Sequence, residues 1–175
     1  MQGPWSRPID VYTPTRLGAR PDLVIHFHGD AWIAHTGADR QRAVSAVVNL
    51  GAGSGVYHRA FAEPGAFDTL LALIERDVAA RRGRAVPFGR IVLSGFSAGH
   101  GAIRVILRDT AQVRRVDAVL LLDGMHTSYT PEGQVLAAGG VLDTTNLVAL
   151  AGFARLAMRG ERRFVVTHSE IFPGT

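Results

Sequence analysis

Apolar residues follow two different spacings along this chain. Short apolar runs flanked by glycine, proline or polar residues predict buried β-strands, and apolar residues three or four positions apart predict amphipathic helices. The apolar runs lie at residues 23–27, 43–50, 91–93, 116–122 and 163–167, and an alternating segment bounded by prolines lies at 8–14. The helical spacing covers residues 67–78, 102–107 and 147–158.

The order of these segments is β, β, β, α, β, α, β, α, β. Short apolar strands that alternate with amphipathic helices indicate an α/β fold with a mostly parallel central sheet flanked by helices. The proline-bounded segment at 8–14 is expected at the edge of that sheet. Residues 31–42 are expected to form a loop with a helical turn, and residues 124–144 a polar loop over the site. The chain, residues 1–175, is expected to form one domain.

The most informative stretch joins the strand at 91–93 to the helix that follows it. Residues 95–99 read Gly-Phe-Ser-Ala-Gly and fit G-x-S-x-G, the nucleophile elbow, which requires a strand, a sharp turn and a helix in that order. In this motif Ser97 is the nucleophile, and the N–H of Ala98 donates to an oxyanion. The alternative interpretation is a glycine-rich turn between a strand and a helix, with no chemistry.

A serine hydroxyl is a weak nucleophile at neutral pH, so it needs a base and a carboxylate that orients the base. Ligands bind parallel sheets at the carboxyl ends of the strands, and both groups are available there. Asp123 and His168 each follow a predicted strand, which gives the chain order Ser, Asp, His. His126 and His100 are rival candidates for the base, and Asp123 could instead be an ordinary turn residue.

These features, together with a His-Phe-His-Gly tract at 26–29, resemble the α/β-hydrolase superfamily over nearly the whole chain. The resemblance implies a serine hydrolase that cleaves an ester or related acyl bond through an acyl-enzyme. In that reaction Ser97, His168 and Asp123 would serve as nucleophile, base and orienting carboxylate. The implied partner is a small-molecule acyl substrate, and the chemistry requires no cofactor.

The same resemblance assigns the oxyanion hole. A backbone N–H of Gly29 or Asp30 would donate to the oxyanion together with Ala98, and His28 would lie beside the substrate. The alternative is a metal site, because His26 and His28 would share one face if both lay in a strand. No third ligand cluster lies nearby in the sequence, so we favour the oxyanion interpretation and expect no metal.

Two features depart from the family pattern. Many members carry the acid after the strand that follows the one ending at Asp123. The family also has a closing helix after the catalytic histidine, whereas this chain ends at Thr175, seven residues after His168. We therefore expect either a minimal α/β-hydrolase fold that lacks the closing helix or a truncated chain, in which case the base could lie beyond Thr175.

Composition excludes several other classes. The formal net charge is +4, the arginines are scattered and aromatic residues make up 7%, which argues against nucleic-acid binding. There is no apolar run of about 18 residues, so no membrane span is expected. No signal peptide is visible at the N-terminus, which makes the cytoplasm the default location. The sequence leaves the oligomeric state open.

Two other functions compete with the hydrolase. One is a non-catalytic, hydrolase-like binding protein. The other is a dinucleotide-binding domain, suggested by the glycine-rich residues 51–55, but Val56 stands where G-x-G-x-x-G requires glycine. We expect that loop to continue toward Pro64 without opening a helix. Tyr57 and Phe61 would then form an apolar wall for an acyl group.

Overall fold

The structure is a computed structural model that describes residues 1–170. Over that range the strands are β1 (Asp10–Tyr12), β2 (Leu23–Phe27), β3 (Val44–Val48), β4 (Ile91–Phe96), β5 (Ala118–Leu122), β6 (Tyr129–Thr130), β7 (Val141–Leu142) and β8 (Arg163–Thr167). The helices are α1 (Ala31–Arg40), α2 (Ser54–Ala62), α3 (Ala66–Arg82), α4 (His100–Ile106), α5 (Thr110–Arg115) and α6 (Val148–Met158). Short 3₁₀ turns cover Ser97–Gly99, Leu136–Ala138 and Thr144–Leu147.

Six strands form the central sheet in the order β1-β3-β2-β4-β5-β8. Every neighbouring pair in it is parallel except β1 and β3, so the predicted edge strand is also the antiparallel one. β3 is buried at every position and β2 at every position except Val24, and apart from His26 both strands consist of apolar or small residues, as expected for a parallel sheet covered on both faces. The predicted α/β class and mostly parallel sheet are confirmed.

The hydrophobic core lies between this sheet and the helices. On α3 the apolar residues at helical spacing are all buried, including Phe67, Leu70 and Ile74. The same spacing on α6 buries Leu150 and Phe153. No helix within residues 1–170 is long and apolar enough to cross a membrane. The expected absence of a closing helix concerns residues 171–175 in part, and these lie outside the described residues.

Two predicted loops are wrong. Residues 31–40 form α1, which the apolar pattern could not reveal because Trp32 and Ile33 are exposed and only Ala38 is buried. The glycine-rich loop opens α2 directly, since Gly53 takes a positive φ of 82° immediately before the first helical residue. The polar segment 124–144 contains the β6–β7 hairpin as well as loop.

Close backbone contacts fix α4 against the rest of the molecule. A Cβ atom added at Gly99 would overlap the carbonyl oxygen of Phe27 on β2, and one added at Gly101 would overlap the carbonyl oxygen of Ser54 on α2. A Cβ atom at Gly95 would lie 3.1 Å from the carbonyl carbon of Gly99. Because glycine alone allows these approaches, the glycines around Ser97 set the position of the turn and of the helix after it.

We expect Gly99→Ala to lower the free energy of unfolding by about 3 kcal/mol, because the new methyl group must displace the β2 backbone. Gly152→Ala is the matched control: Gly152 lies in α6 with open space around its Cα, and alanine there should raise stability by up to about 1 kcal/mol. Urea denaturation of both variants measures the difference. Equal stabilities would contradict the close approach.

Candidate active site

Three non-glycine residues in a strained backbone conformation mark the carboxyl edge of the sheet. His28, Ser97 and Asp123 have φ values of 64°, 42° and 50°, in the left-handed region that non-glycine residues rarely adopt. They directly follow β2, β4 and β5, which are neighbours in the sheet. Strain of this kind persists only where surrounding contacts enforce it, and it concentrates at functional sites. The predicted convergence of site residues at this edge is therefore present for these three.

Ser97 begins the 3₁₀ turn that joins β4 to α4. His100 Nδ1–H donates a 2.8 Å hydrogen bond to the Ser97 carbonyl oxygen, across the turn. The ring of His100 is buried, and this burial lowers its pKa to about 4. His100 is therefore neutral near pH 7, and its hydrogen bond braces the strained turn from the helix side. Sequence reasoning named His100 as a rival base and missed this bracing role.

The turn after β2 carries the predicted oxyanion donors. Gly29 has a φ of 118°, and Asp30 is the residue before the first turn of α1. The ring of His28 stacks on Phe96, the last residue of β4, with centroids 6.2 Å apart. Gly29 and Asp30 therefore lie beside the strand that leads into Ser97 and Ala98. Their donation to an oxyanion remains a prediction.

Tyr57, on α2, supports the turn after β2 through its hydroxyl group. Its hydroxyl lies 2.9 Å from His28 Nδ1, accepts from the backbone N–H of Leu50 at 3.1 Å and donates to Asn49 Oδ1 at 3.2 Å. Asn49 Nδ2 in turn donates to the carbonyl oxygen of Gly29 at 3.2 Å. Burial raises the pKa of the Tyr57 phenol. The network ties the turn at His28 and Gly29 to α2 and to the chain that follows β3.

The predicted apolar wall is therefore wrong. Tyr57 has no exposed surface and Phe61 is 5% exposed, so neither side chain can offer surface to an acyl group. The rings of Phe61 and Phe27 meet edge-on within the core, with centroids 5.1 Å apart. The helical spacing of the two residues, four positions apart, was the sequence signal for a buried face.

His26 and His28, the two histidines of the tract at 26–29, lie in different elements of the structure. His26 lies within β2 and is buried, and its Nδ1 lies 3.0 Å from Ser94 Oγ on the neighbouring strand. Burial lowers the pKa of its imidazole. His28 is outside the strand, so the alternation that would place both rings on one face does not apply. Among residues 1–170 there is no group of three or more His, Cys, Asp or Glu side chains able to hold a metal ion.

Asp123 and His168 lie at the ends of neighbouring strands. The backbone N–H of Asp123 donates to the Thr167 carbonyl oxygen at 2.9 Å. Its carboxylate accepts from the backbone N–H of Ser169 at 2.9 Å and from the Ser169 hydroxyl at 2.8 Å, and these bonds lower the pKa of Asp123. The exposed His168 donates from Nδ1 to the Ser169 carbonyl oxygen at 3.0 Å.

The hydrogen bonds of a catalytic triad are not formed. Within residues 1–170, neither Asp123 nor Ser97 makes a side-chain hydrogen bond to His168. His126 also has a partner, because its Nε2–H donates to the carbonyl oxygen of Asp123 at 2.8 Å. The side chains of His126 and His100 thus each bind the carbonyl of a strained residue three positions earlier in the chain. Their rings meet edge-on, with centroids 5.6 Å apart.

Comparisons with known proteins bear on the fold. No protein-family model matches the sequence, and a search of curated proteins finds no match. The structure is similar to that of enterochelin esterase from Shigella flexneri, with a TM-score of 0.53 and 16% identity over 92% of this chain and 49% of that chain. It is also similar to enterobactin esterase from Shigella flexneri in the presence of enterobactin, with a TM-score of 0.51 and 15% identity over 91% of this chain and 50% of that chain.

At sequence identities of 15–16%, the structural likeness establishes the fold alone. The chain shares the architecture of these two solved structures, with a mostly parallel central sheet flanked by helices, which confirms the fold predicted from the sequence. The chain spans about half the length of these two solved structures. The roles of individual residues are not tested by the likeness.

We expect Tyr57→Phe to lower the free energy of unfolding by about 2 kcal/mol, because the buried N–H of Leu50 loses its acceptor and the turn at His28 loses its support. Tyr129→Phe is the matched control, since the Tyr129 hydroxyl makes no hydrogen bond within residues 1–170, and it should change stability by less than about 0.5 kcal/mol. Urea denaturation measures both variants. A neutral Tyr57→Phe would show that the network does not support the turn.

Proposed function

We propose that this chain is a serine hydrolase that cleaves an ester or related acyl bond, with Ser97 as the nucleophile. The observation that carries the proposal is the left-handed backbone of Ser97, with φ 42°, at the sharp turn between a buried strand and a helix. This conformation costs a non-glycine residue about 1–3 kcal/mol, and here it occurs at the carboxyl edge of the sheet, where ligands bind α/β proteins. The two proteins of similar fold are named as esterases, which supports an ester as the bond that is cleaved but does not indicate the substrate of this chain.

The proposed reaction has two halves. The Ser97 hydroxyl loses its proton to the base and attacks the acyl carbonyl, and the N–H of Ala98 with that of Gly29 or Asp30 stabilises the oxyanion. The tetrahedral intermediate expels the alcohol, which takes the proton from the imidazolium, and leaves an acyl-serine. Water then loses a proton to the same base and attacks the acyl carbonyl. The bond between the acyl carbon and Ser97 Oγ breaks, the acid leaves, and Ser97 takes the proton back from the imidazolium.

We assign the base to His168 and its orienting carboxylate to Asp123. His100 is a poor base near neutral pH, because burial lowers its pKa to about 4 and its Nδ1 is bound to the Ser97 carbonyl. His168 is exposed and adjoins Asp123 across the strand ends. In the catalytic arrangement Asp123 must exchange its bonds to Ser169 for the imidazole N–H.

The proposed base, His168, also lies at a distance from Ser97. β8 lies two strands from β4 in the sheet, about 10 Å away, so the imidazole of His168 must extend over the end of β5 to reach Ser97. His126 lies on the loop after β5 and is the competing base.

Ser97→Ala should lower the rate of 4-nitrophenyl acetate and butyrate hydrolysis by at least about 10³-fold without unfolding the protein. It should also abolish labelling by a fluorophosphonate probe. Ser6→Ala is the matched control, because Ser6 is exposed and far along the chain from the elbow. Full hydrolysis by Ser97→Ala would overturn the mechanism, and a folded wild-type protein that neither labels nor hydrolyses would favour the non-catalytic binding protein.

His168→Gln should lower kcat/KM for 4-nitrophenyl acetate by about 10²–10⁴-fold, and Asp123→Asn should lower it by a comparable factor. Because the two groups are proposed to act as a unit, the double variant should be little worse than His168→Gln alone. His126→Gln and His100→Gln are measured beside them for kcat/KM and for circular dichroism. A larger catalytic loss in His126→Gln than in His168→Gln, with the fold retained, would transfer the role of base to His126.

A further inference from the structure

A small polar cavity of about 260 Å³ lies beside the proposed active site and takes no part in the mechanism above. His100 and Arg104, one turn apart on α4, form one wall, and Ser54 at the start of α2 forms another. His126, the two hydroxyl residues after it and Asn146 complete the lining. The lining therefore contains one permanent cation, several neutral hydrogen-bonding groups and no carboxylate.

Arg104 lacks partners inside this cavity. Its guanidinium makes no hydrogen bond and no ion pair within residues 1–170, and its Nε is buried with no acceptor. Burial lowers the pKa of Arg104, although arginine stays charged at any physiological pH. A buried N–H group without an acceptor costs free energy in the folded protein, and a charged guanidinium without hydrogen-bond partners is one that a carboxylate can bind.

No acidic side chain within residues 1–170 forms an ion pair with Arg104. Asp143 attracts Arg104 electrostatically without forming an ion pair. Its carboxylate accepts from the backbone N–H of Thr145 at 3.0 Å, from Asn146 Nδ2 at 2.8 Å and from Ser128 Oγ at 3.3 Å. On the other side, the pKa of His58 is lowered by burial and by the positive charges of Arg104 and Arg108. Arg104 is therefore attracted by a carboxylate nearby but is not paired with it.

We propose that this cavity binds a carboxylate on the acyl part of the substrate, held by the guanidinium of Arg104. The planar guanidinium fork matches a carboxylate in a bidentate pair. Ser54 and the second N–H of Asn146 would supply further neutral hydrogen bonds, whereas the hydroxyls of Thr127 and Ser128 already donate to Asp143. One cation matches a monoanionic carboxylate, whereas a phosphate dianion would leave uncompensated charge.

The location suits a substrate subsite. Arg104 lies seven residues after Ser97, about 10 Å along the turn and helix, and helical side chains lean toward the N-terminal end, here the Ser97 end. A dicarboxylic half-ester could therefore place its ester at Ser97 and its free carboxylate at Arg104. This substrate assignment rests on the proposed function, whereas the binding of a carboxylate does not.

Binding is tested without catalysis on the ¹⁵N-labelled wild-type protein. Succinate should shift the Arg104 Nε–H resonance in a saturable manner, and the neutral isostere succinamide should not. Inorganic phosphate is titrated in parallel. Equal shifts with succinamide, no shift with succinate, or tighter binding of phosphate than of succinate would each overturn the carboxylate site.

The substrate class is tested with 4-nitrophenyl half-esters of succinate, glutarate and adipate, each against a neutral ester of equal length. Wild type should favour at least one acidic ester by about tenfold in kcat/KM, and Arg104→Gln should remove that preference. Arg108→Gln, which removes the same charge from an exposed position outside the cavity, should keep it.

The outcomes separate the two proposals. A preference that survives Arg104→Gln, or the absence of one in an active wild type, would overturn the substrate assignment. Succinate binding at Arg104 in a protein that hydrolyses none of the esters would instead overturn the proposed function and leave the carboxylate site standing.

Discussion

The close approach of α4 to β2 and α2 is the constraint on which the candidate site depends. Gly99 lies against the carbonyl of Phe27, and Gly101 lies against the carbonyl of Ser54, with no room for a side chain at either position. The helix that follows Ser97 is thus seated on two other elements by backbone contact. The turn between β4 and α4 has to be sharp, and Ser97 is left in the left-handed conformation at the carboxyl end of β4.

The strained residues share a second property, which is support from buried or half-buried aromatic side chains nearby. His100 binds the carbonyl of Ser97, His126 binds the carbonyl of Asp123, and the hydroxyl of Tyr57 lies against the ring of His28. Strained backbone is retained where packing and hydrogen bonding enforce it. The sheet edge is therefore a preorganised surface, although Asp123 is bound to Ser169 and not to a histidine.

Most of the fold, but only part of the candidate site, could be predicted from the sequence. Strand and helix periodicity is local, so it located the central strands, α3 and the turn at Ser97. It missed α1, whose apolar Trp32 and Ile33 face solvent, and it missed α2, where the glycines masked the start of the helix. The partners of Tyr57, and the engagement of Asp123 by Ser169, depend on which residues meet in three dimensions, and no spacing in the chain encodes that.

The most direct test of the account is a crystal structure of the protein after reaction with a small alkyl fluorophosphonate. The account predicts a phosphonyl adduct on Ser97 Oγ, with the phosphoryl oxygen about 2.7–3.1 Å from the N–H of Ala98 and from that of Gly29 or Asp30. It also predicts the imidazole of His168 turned toward the adduct and hydrogen-bonded to Asp123. An adduct on another residue, or a phosphoryl oxygen that points to solvent away from both N–H groups, would contradict it.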